Sequence, residues 1–135
     1  MDIQTWRDYN SAAGPLPWFR HKSPARFQRQ GASMFIQRIT LSPAMGKGRE
    51  LRALVEDRVK KGQAQGQRIS LASPVFGDDM GSLVLTIRFN DMAELEKSRA
   101  RNAADKDFQE YVGKVSSMAA SRFELLEVLV PFQSP

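Results

Sequence analysis

Apolar positions between residues 34 and 132 change their period along the chain. In some stretches they alternate; in others they recur every three or four residues. The order this predicts is strand, helix, strand, strand, helix, helix, strand. Residues 34–41 (MFIQRITL) read as a strand that Ser42-Pro43 stops, because proline cannot donate to a central ladder. Residues 47–65 read as a helix, with Leu51, Leu54, Val55 and Val59 on one stripe and charged residues on the remaining arc. Gly62 and Gly66 bracket its end. Residues 67–74 read as a second strand. Gly77-Asp78-Asp79-Met80-Gly81 has the composition of a hairpin turn, and residues 82–89 (SLVLTIRF) read as the third strand.

Asp91 followed by Glu94 resembles a capping box, in which each carboxylate satisfies orphan amide donors at a helix start. The helix it opens runs to about Asn102. A second acid pair, Asp107 and Glu110, restarts it, and Phe108, Tyr111, Val112, Val115, Met118 and Ala119 form the clearest helical stripe in the chain. Residues 122–132 (RFELLEVLVPF) read as the last strand, ended by Pro131.

Alternation sorts the strand residues into two faces. Leu83, Leu85, Ile87 and Phe89 share one face with Phe35, Ile39 and Leu41, and with Phe123, Leu125 and Leu129. The other face is predicted to carry Met34, Ile36, Val84, Leu126, Val128 and Val130. Helices on one side of a four-stranded sheet cover only one face. Burial of the remaining six aliphatics would contribute roughly 10 kcal/mol, comparable to the net stability of a small domain. The simplest cover is the same sheet of a second copy, packed about a two-fold axis, so a homodimer is predicted. The competing cover is the N-terminal arm in cis.

That arm, residues 1–33, differs from the rest. It holds Pro15, Pro17, Pro24, Gly14 and Gly31, both tryptophans (Trp6 and Trp18) and the single histidine, His21. It also carries Arg7, Arg20, Lys22, Arg26 and Arg29 against only Asp2 and Asp8, so the net charge of +5 owes more than its share to this segment. The arm reads as irregular and basic, and residues 34–135 as the folded domain. Three roles fit the arm: a docking segment that seats Trp6, Trp18 and Phe19, a targeting segment, or a leader before a start at Met34. The chain has no cysteine, which removes disulfides and thiolate chemistry and fits a cytoplasmic location. No apolar run is long enough to cross a membrane.

The element order over residues 34–132, with the run DMAELEKSRARNAADKDFQEYVGKVSSM as its most specific part, resembles the dimeric α+β barrel superfamily. That is a ferredoxin-like βαββαβ arrangement with a split second helix, and the NIPSNAP-like and antibiotic-biosynthesis-monooxygenase-like branches share the run. The resemblance implies an α+β fold with a four-stranded antiparallel sheet, a sheet-to-sheet homodimer, and a small cavity between sheet and helices. Members include cofactor-free oxygenases and isomerases, haem-degrading enzymes, and proteins without known activity. Fold alone does not choose among them. The folded region has no histidine, which argues against the haem-binding branch, and no cofactor or metal is expected. The NIPSNAP-like first strand often carries an arginine and, two positions later, an aromatic; Gln37 and Ile39 stand there.

Four residues are candidates for a ligand pocket under the second helix pair: Arg38, Arg88, Tyr111 and Glu127. Either arginine could bind a carboxylate or enolate through paired hydrogen bonds, though an arginine at a sheet rim also snorkels to water. Tyr111 could donate its hydroxyl, or pack with a wet tip. Glu127 interrupts an apolar strand, as a base or as one half of a salt bridge. Asp78-Asp79 has too few oxygens for a calcium site and reads as a turn. The same strand order also builds RNA-recognition modules, but aliphatics stand in the third strand where stacking rings belong, which argues against nucleic acid. Two functions follow: a small-molecule-binding protein of the cofactor-free oxygenase or isomerase type, or a non-catalytic dimerisation and partner-binding module that uses the basic arm.

Overall fold

Seven elements follow one another in the predicted order. They are β1 (Phe35–Pro43), α1 (Gly48–Ala64), β2 (Ile69–Ala72), β3 (Leu83–Phe89), α2 (Met92–Ala104), α3 (Lys106–Met118) and β4 (Ala119–Glu127). The structure, a computed structural model, describes residues 33–133; the segment with Trp6, Trp18, Phe19 and His21 lies outside them. The strands form one antiparallel sheet in the order β2-β3-β1-β4. This is the α+β, ferredoxin-like architecture with its second helix split in two.

The core lies between one face of the sheet and the helices. Phe35, Ile39, Leu41, Leu83, Leu85 and Phe89 are buried from the sheet side. Leu51, Val55 and Val59 of α1, Leu95 of α2, and Phe108, Val112, Val115 and Met118 of α3 meet them. The predicted stripes of α1 and α3 are therefore the buried ones. The α1 end is a Schellman turn: the Gln67 amide donates to the Gly62 carbonyl at 2.9 Å and the Gly66 amide to Gln63 at 3.0 Å, with Gly66 at φ 84°. Gly62 itself packs against β2. A Cβ there would lie 2.6 Å from Gln67 Oε1 and 3.2 Å from Ile69 Cγ2.

The helix caps differ in detail from expectation. The Asp91 carboxylate accepts from the Glu94 amide at 2.8 Å, and Glu94 accepts from the Asn90 amide at 2.9 Å, so the box closes one residue early. The second helix does not restart on Asp107 and Glu110. Asp105 caps it, accepting from the amides of Asp107 and Phe108 at 3.0 and 3.3 Å. Asp105 is extended and so breaks the helix between Ala104 and Lys106.

Three strand limits also shift. Pro43 does not stop β1: it pairs with Ala119, because β3 leaves β1 at Leu41 and the missing amide hydrogen is not required on that side. The second strand is shorter than predicted, four residues only. The last strand begins earlier, at Ala119, where α3 passes directly into extended backbone, and it ends at Glu127. Leu129, Val130 and Phe132 lie beyond it and are exposed.

The second sheet face is accordingly less apolar than predicted. Ile36, Val84 and Leu126 do share it, but Val128 and Val130 fall outside β4. Register sets Arg88, Ile36 and Leu126 in one row, Thr86, Arg38 and Glu124 in the next, and Val84, Thr40 and Arg122 in a third. Polar groups run through its middle. Arg38 makes a bidentate pair with Glu124, at 3.2 and 2.7 Å. Arg122 reaches Asp79 of the β2–β3 turn at 2.9 Å.

Candidate functional site

A cavity of about 240 Å³ lies between the helix-facing side of the sheet and the α2–α3 pair, bordered at one end by residues 65–67 of the turn that follows α1. Its apolar wall comes from strand alternation: Ile39 of β1, Ile69 of β2, and Leu85, Ile87 and Phe89 of β3. Phe108 and Tyr111 add aromatic surface from α3, their rings 6.0 Å apart and tilted by 42°.

One residue of this wall is out of character. Gln37 sits in β1 between Ile87 and Leu125, on the buried side, and is 6% exposed. Among the described residues nothing hydrogen-bonds its carboxamide. A buried, unpaired polar group costs about 1–3 kcal/mol, so its presence at a cavity wall points to an occupant that pairs with it. Tyr111 is the second such group. Its hydroxyl likewise has no hydrogen-bonding partner among the described residues. Burial pushes the phenol up to about 12, with Arg58 pulling weakly in the other direction. At ordinary pH it is therefore a neutral donor, not a base.

The third wall is α2. Glu94, Lys97, Ser98, Arg101 and Asn102 recur at three- and four-residue steps, so one polar stripe of the helix faces the cavity. Glu94 is the one carboxylate of the described lining and is already engaged. It lies 3.8 Å from Arg68, which also bonds Asn90, and it accepts from the Asn90 amide. Arg58 stands over the Phe108 ring, 5.5 Å from its centroid. Neither Arg58, Lys97 nor Arg101 has a carboxylate within ion-pair distance among the described residues.

The four residues singled out from sequence do not come together. Tyr111 is in the cavity. Arg88 borders it through its main chain, whose amide donates to the Arg68 carbonyl at 2.9 Å; alternation puts its side chain on the opposite face with Val84 and Thr86. Arg38 lies on that opposite face as well. There Glu124 holds the guanidinium above its usual value, and Arg38 in turn holds the Glu124 carboxyl below the usual carboxylate range. Glu127 is not mid-strand: it ends β4 opposite Phe35 and accepts from Ser33 Oγ at 3.3 Å. Sequence reasoning passed over Gln37, Arg58, Lys97 and Arg101. For Gln37 a signal existed, since it is the polar member of the run Phe35, Ile39, Leu41. For the cations of α2 none did.

Among the described residues no group of three His, Asp or Glu side chains could hold a metal, and no helix is long and apolar enough to cross a membrane.

No family model matches the chain, and no curated protein matches it. Solved structures do. A NIPSNAP domain protein from Burkholderia xenovorans superposes with a TM-score of 0.62 at 19% identity, over 75% of this chain and 99% of that one. A NIPSNAP family protein from Agrobacterium tumefaciens gives 0.59 at 16% identity, over 70% and 85%. SnoaB, a cofactor-independent oxygenase from Streptomyces nogalater, gives 0.58 at 14% identity, over 75% and 98%. The chain shares the fold of these NIPSNAP and monooxygenase-like proteins.

Proposed function

We propose that this protein binds a small organic molecule in the cavity beneath α2 and α3. The observation that carries the reading is the buried carboxamide of Gln37, unpartnered among the described residues, in the lining that also holds the neutral hydroxyl of Tyr111. Hydrogen-bonding groups without a protein partner on the apolar wall of a hollow orient a ligand rather than stabilise the free protein. The volume lies below the roughly 300–1,000 Å³ of sites that take drug-sized ligands, so the occupant is smaller than those.

A second reading, cofactor-free oxygenation or isomerisation of the bound molecule, draws on the fold shared with an oxygenase. Gln37 and Tyr111 suit it as donors to a developing oxyanion. With Glu94 engaged, the described lining offers no free carboxylate base, so this reading requires a substrate acidic enough to ionise readily. The homodimer belongs with both readings. Its support is the pair Ile36 and Leu126, side by side in one row of the uncovered sheet face, and light scattering of the intact chain should give twice the monomer mass.

The binding reading is tested by plugging the cavity. Ser98 lines it from α2, and Ser98→Trp should fill it. Ligand-detected NMR with phenol and indole as probes should show saturation transfer to the wild type and none to the variant. Equal transfer to both proteins places the probes elsewhere and ends the proposal.

A further inference from the structure

The charges around the cavity narrow the ligand class. Four cationic side chains, of Arg58, Arg68, Lys97 and Arg101, and one carboxylate line it, in a chain whose residues 34–135 are nearly balanced. Three exposed cations of α1 and its N-cap pair with an acid at helix spacing, while others, Lys60 and Lys114 among them, stand without an ion-pair partner among the described residues. Arg52 pairs with Glu56, Lys61 with Asp57 and Lys47 with Glu50. Around the cavity three cations without an ion-pair partner among the described residues share one lining. The lining stripe of α2 holds Lys97 and Arg101 four residues apart, with no acid between them on that stripe, and Arg58 joins them from α1. Like charges at this spacing are mildly destabilising in a helix, so the sequence tolerates a cost here.

Depth sorts the polar groups. Lys97 and Arg101 are exposed and Arg58 half-buried, so the cations sit toward the opening. Gln37 is nearly sealed from solvent, with Ile39, Leu85 and Ile87 along the same wall. A molecule that satisfies both ends has an anion at the mouth, an apolar body, and a hydrogen-bonding oxygen at the inner end. Resting on the binding reading above, we infer that the ligand is a small amphipathic organic acid, its carboxylate held by Arg58, Lys97 and Arg101 and its far oxygen by Gln37.

The test compares 4-hydroxybenzoate with its neutral methyl ester by isothermal titration calorimetry on the full chain. The acid should bind about tenfold more tightly than the ester, the difference expected of a charge-assisted contact. Lys97→Ala with Arg101→Ala should remove that preference. The same net charge taken from exposed positions outside the lining, Lys60→Ala with Lys114→Ala, should leave it intact. Raised salt should weaken the acid and not the ester, because the mouth is open to screening.

Equal binding of acid and ester to the wild type overturns the acid assignment and leaves the binding reading standing. A preference that survives the Lys97/Arg101 pair of substitutions, with native circular dichroism, overturns the assignment to these cations. Displacement of 4-hydroxybenzoate by equimolar inorganic phosphate would show that the site reads a bare anion, and the amphipathic class fails. If neither probe binds the folded wild type, the acid class and the cavity reading fall together.

Discussion

The two faces of the sheet handle polar residues in opposite ways. On the uncovered face Arg38, Glu124 and Arg122 stand in the middle of the strands, and each has a partner. On the helix-facing side nearly every strand residue is apolar, and the one central exception, Gln37, has none among the described residues. A paired charge on an open surface explains itself and contributes little. An unpaired amide in a wall of aliphatics requires something that is not part of the wall. Counting polar residues would therefore have chosen the wrong face; asking which ones are satisfied chooses the other.

The contrast can be broken or sharpened by four measurements. Leu95→Ala removes the sole apolar side chain that α2 buries fully, and chemical denaturation should show a loss of about 2–5 kcal/mol. Gln37→Leu should act in reverse. It removes an unpaired group from an apolar setting, so the free protein should gain about 1–3 kcal/mol while probe binding is lost. A loss of stability instead would mean that the carboxamide is satisfied in the free protein.

Tyr111 supplies the third, through pH. Its phenol ionises near 10 in the unfolded chain and is pushed up to about 12 in the folded one. The folded state thus holds the proton more tightly, and stability should be unchanged below pH 10 and fall as pH rises toward 12. At pH 11 the loss is on the order of 1 kcal/mol, and Tyr111→Phe should abolish it. The smallest effect belongs to the open face. A double-mutant cycle on Arg38→Met and Glu124→Gln should give a coupling below about 1 kcal/mol, because both groups are solvent-screened. The depressed Glu124 carboxyl makes that coupling present at neutral pH and lost as pH falls through its folded value.

The architecture was legible because its signals are local. Leu83, Leu85, Ile87 and Phe89 alternate within one strand, and Phe108, Val112, Val115 and Met118 mark one helix face. Limits failed where pairing overrode composition. Leu129 and Val130 look as strand-like as Leu125 and Leu126, and only the length of β1 decides which of them pair. The Arg38–Glu124 contact joins residues 86 apart, so register, not spacing, creates it. The cavity was the least legible part. A polar stripe such as Glu94, Lys97, Ser98, Arg101 and Asn102 has the same period whether it faces water or a hollow. Gln37 alone broke a pattern that could be read beforehand.

The cavity also has an unequal frame. One side wall is β2, four residues long and bonded on one side to β3, whereas β1 is held on both sides. Detaching a short rim strand breaks few ladder bonds, and detaching the middle one breaks two ladders. Amide protons of residues 69–72 should then exchange with solvent ahead of those around Gln37, and the hollow should breathe outward past Ile69 while its floor stays fixed.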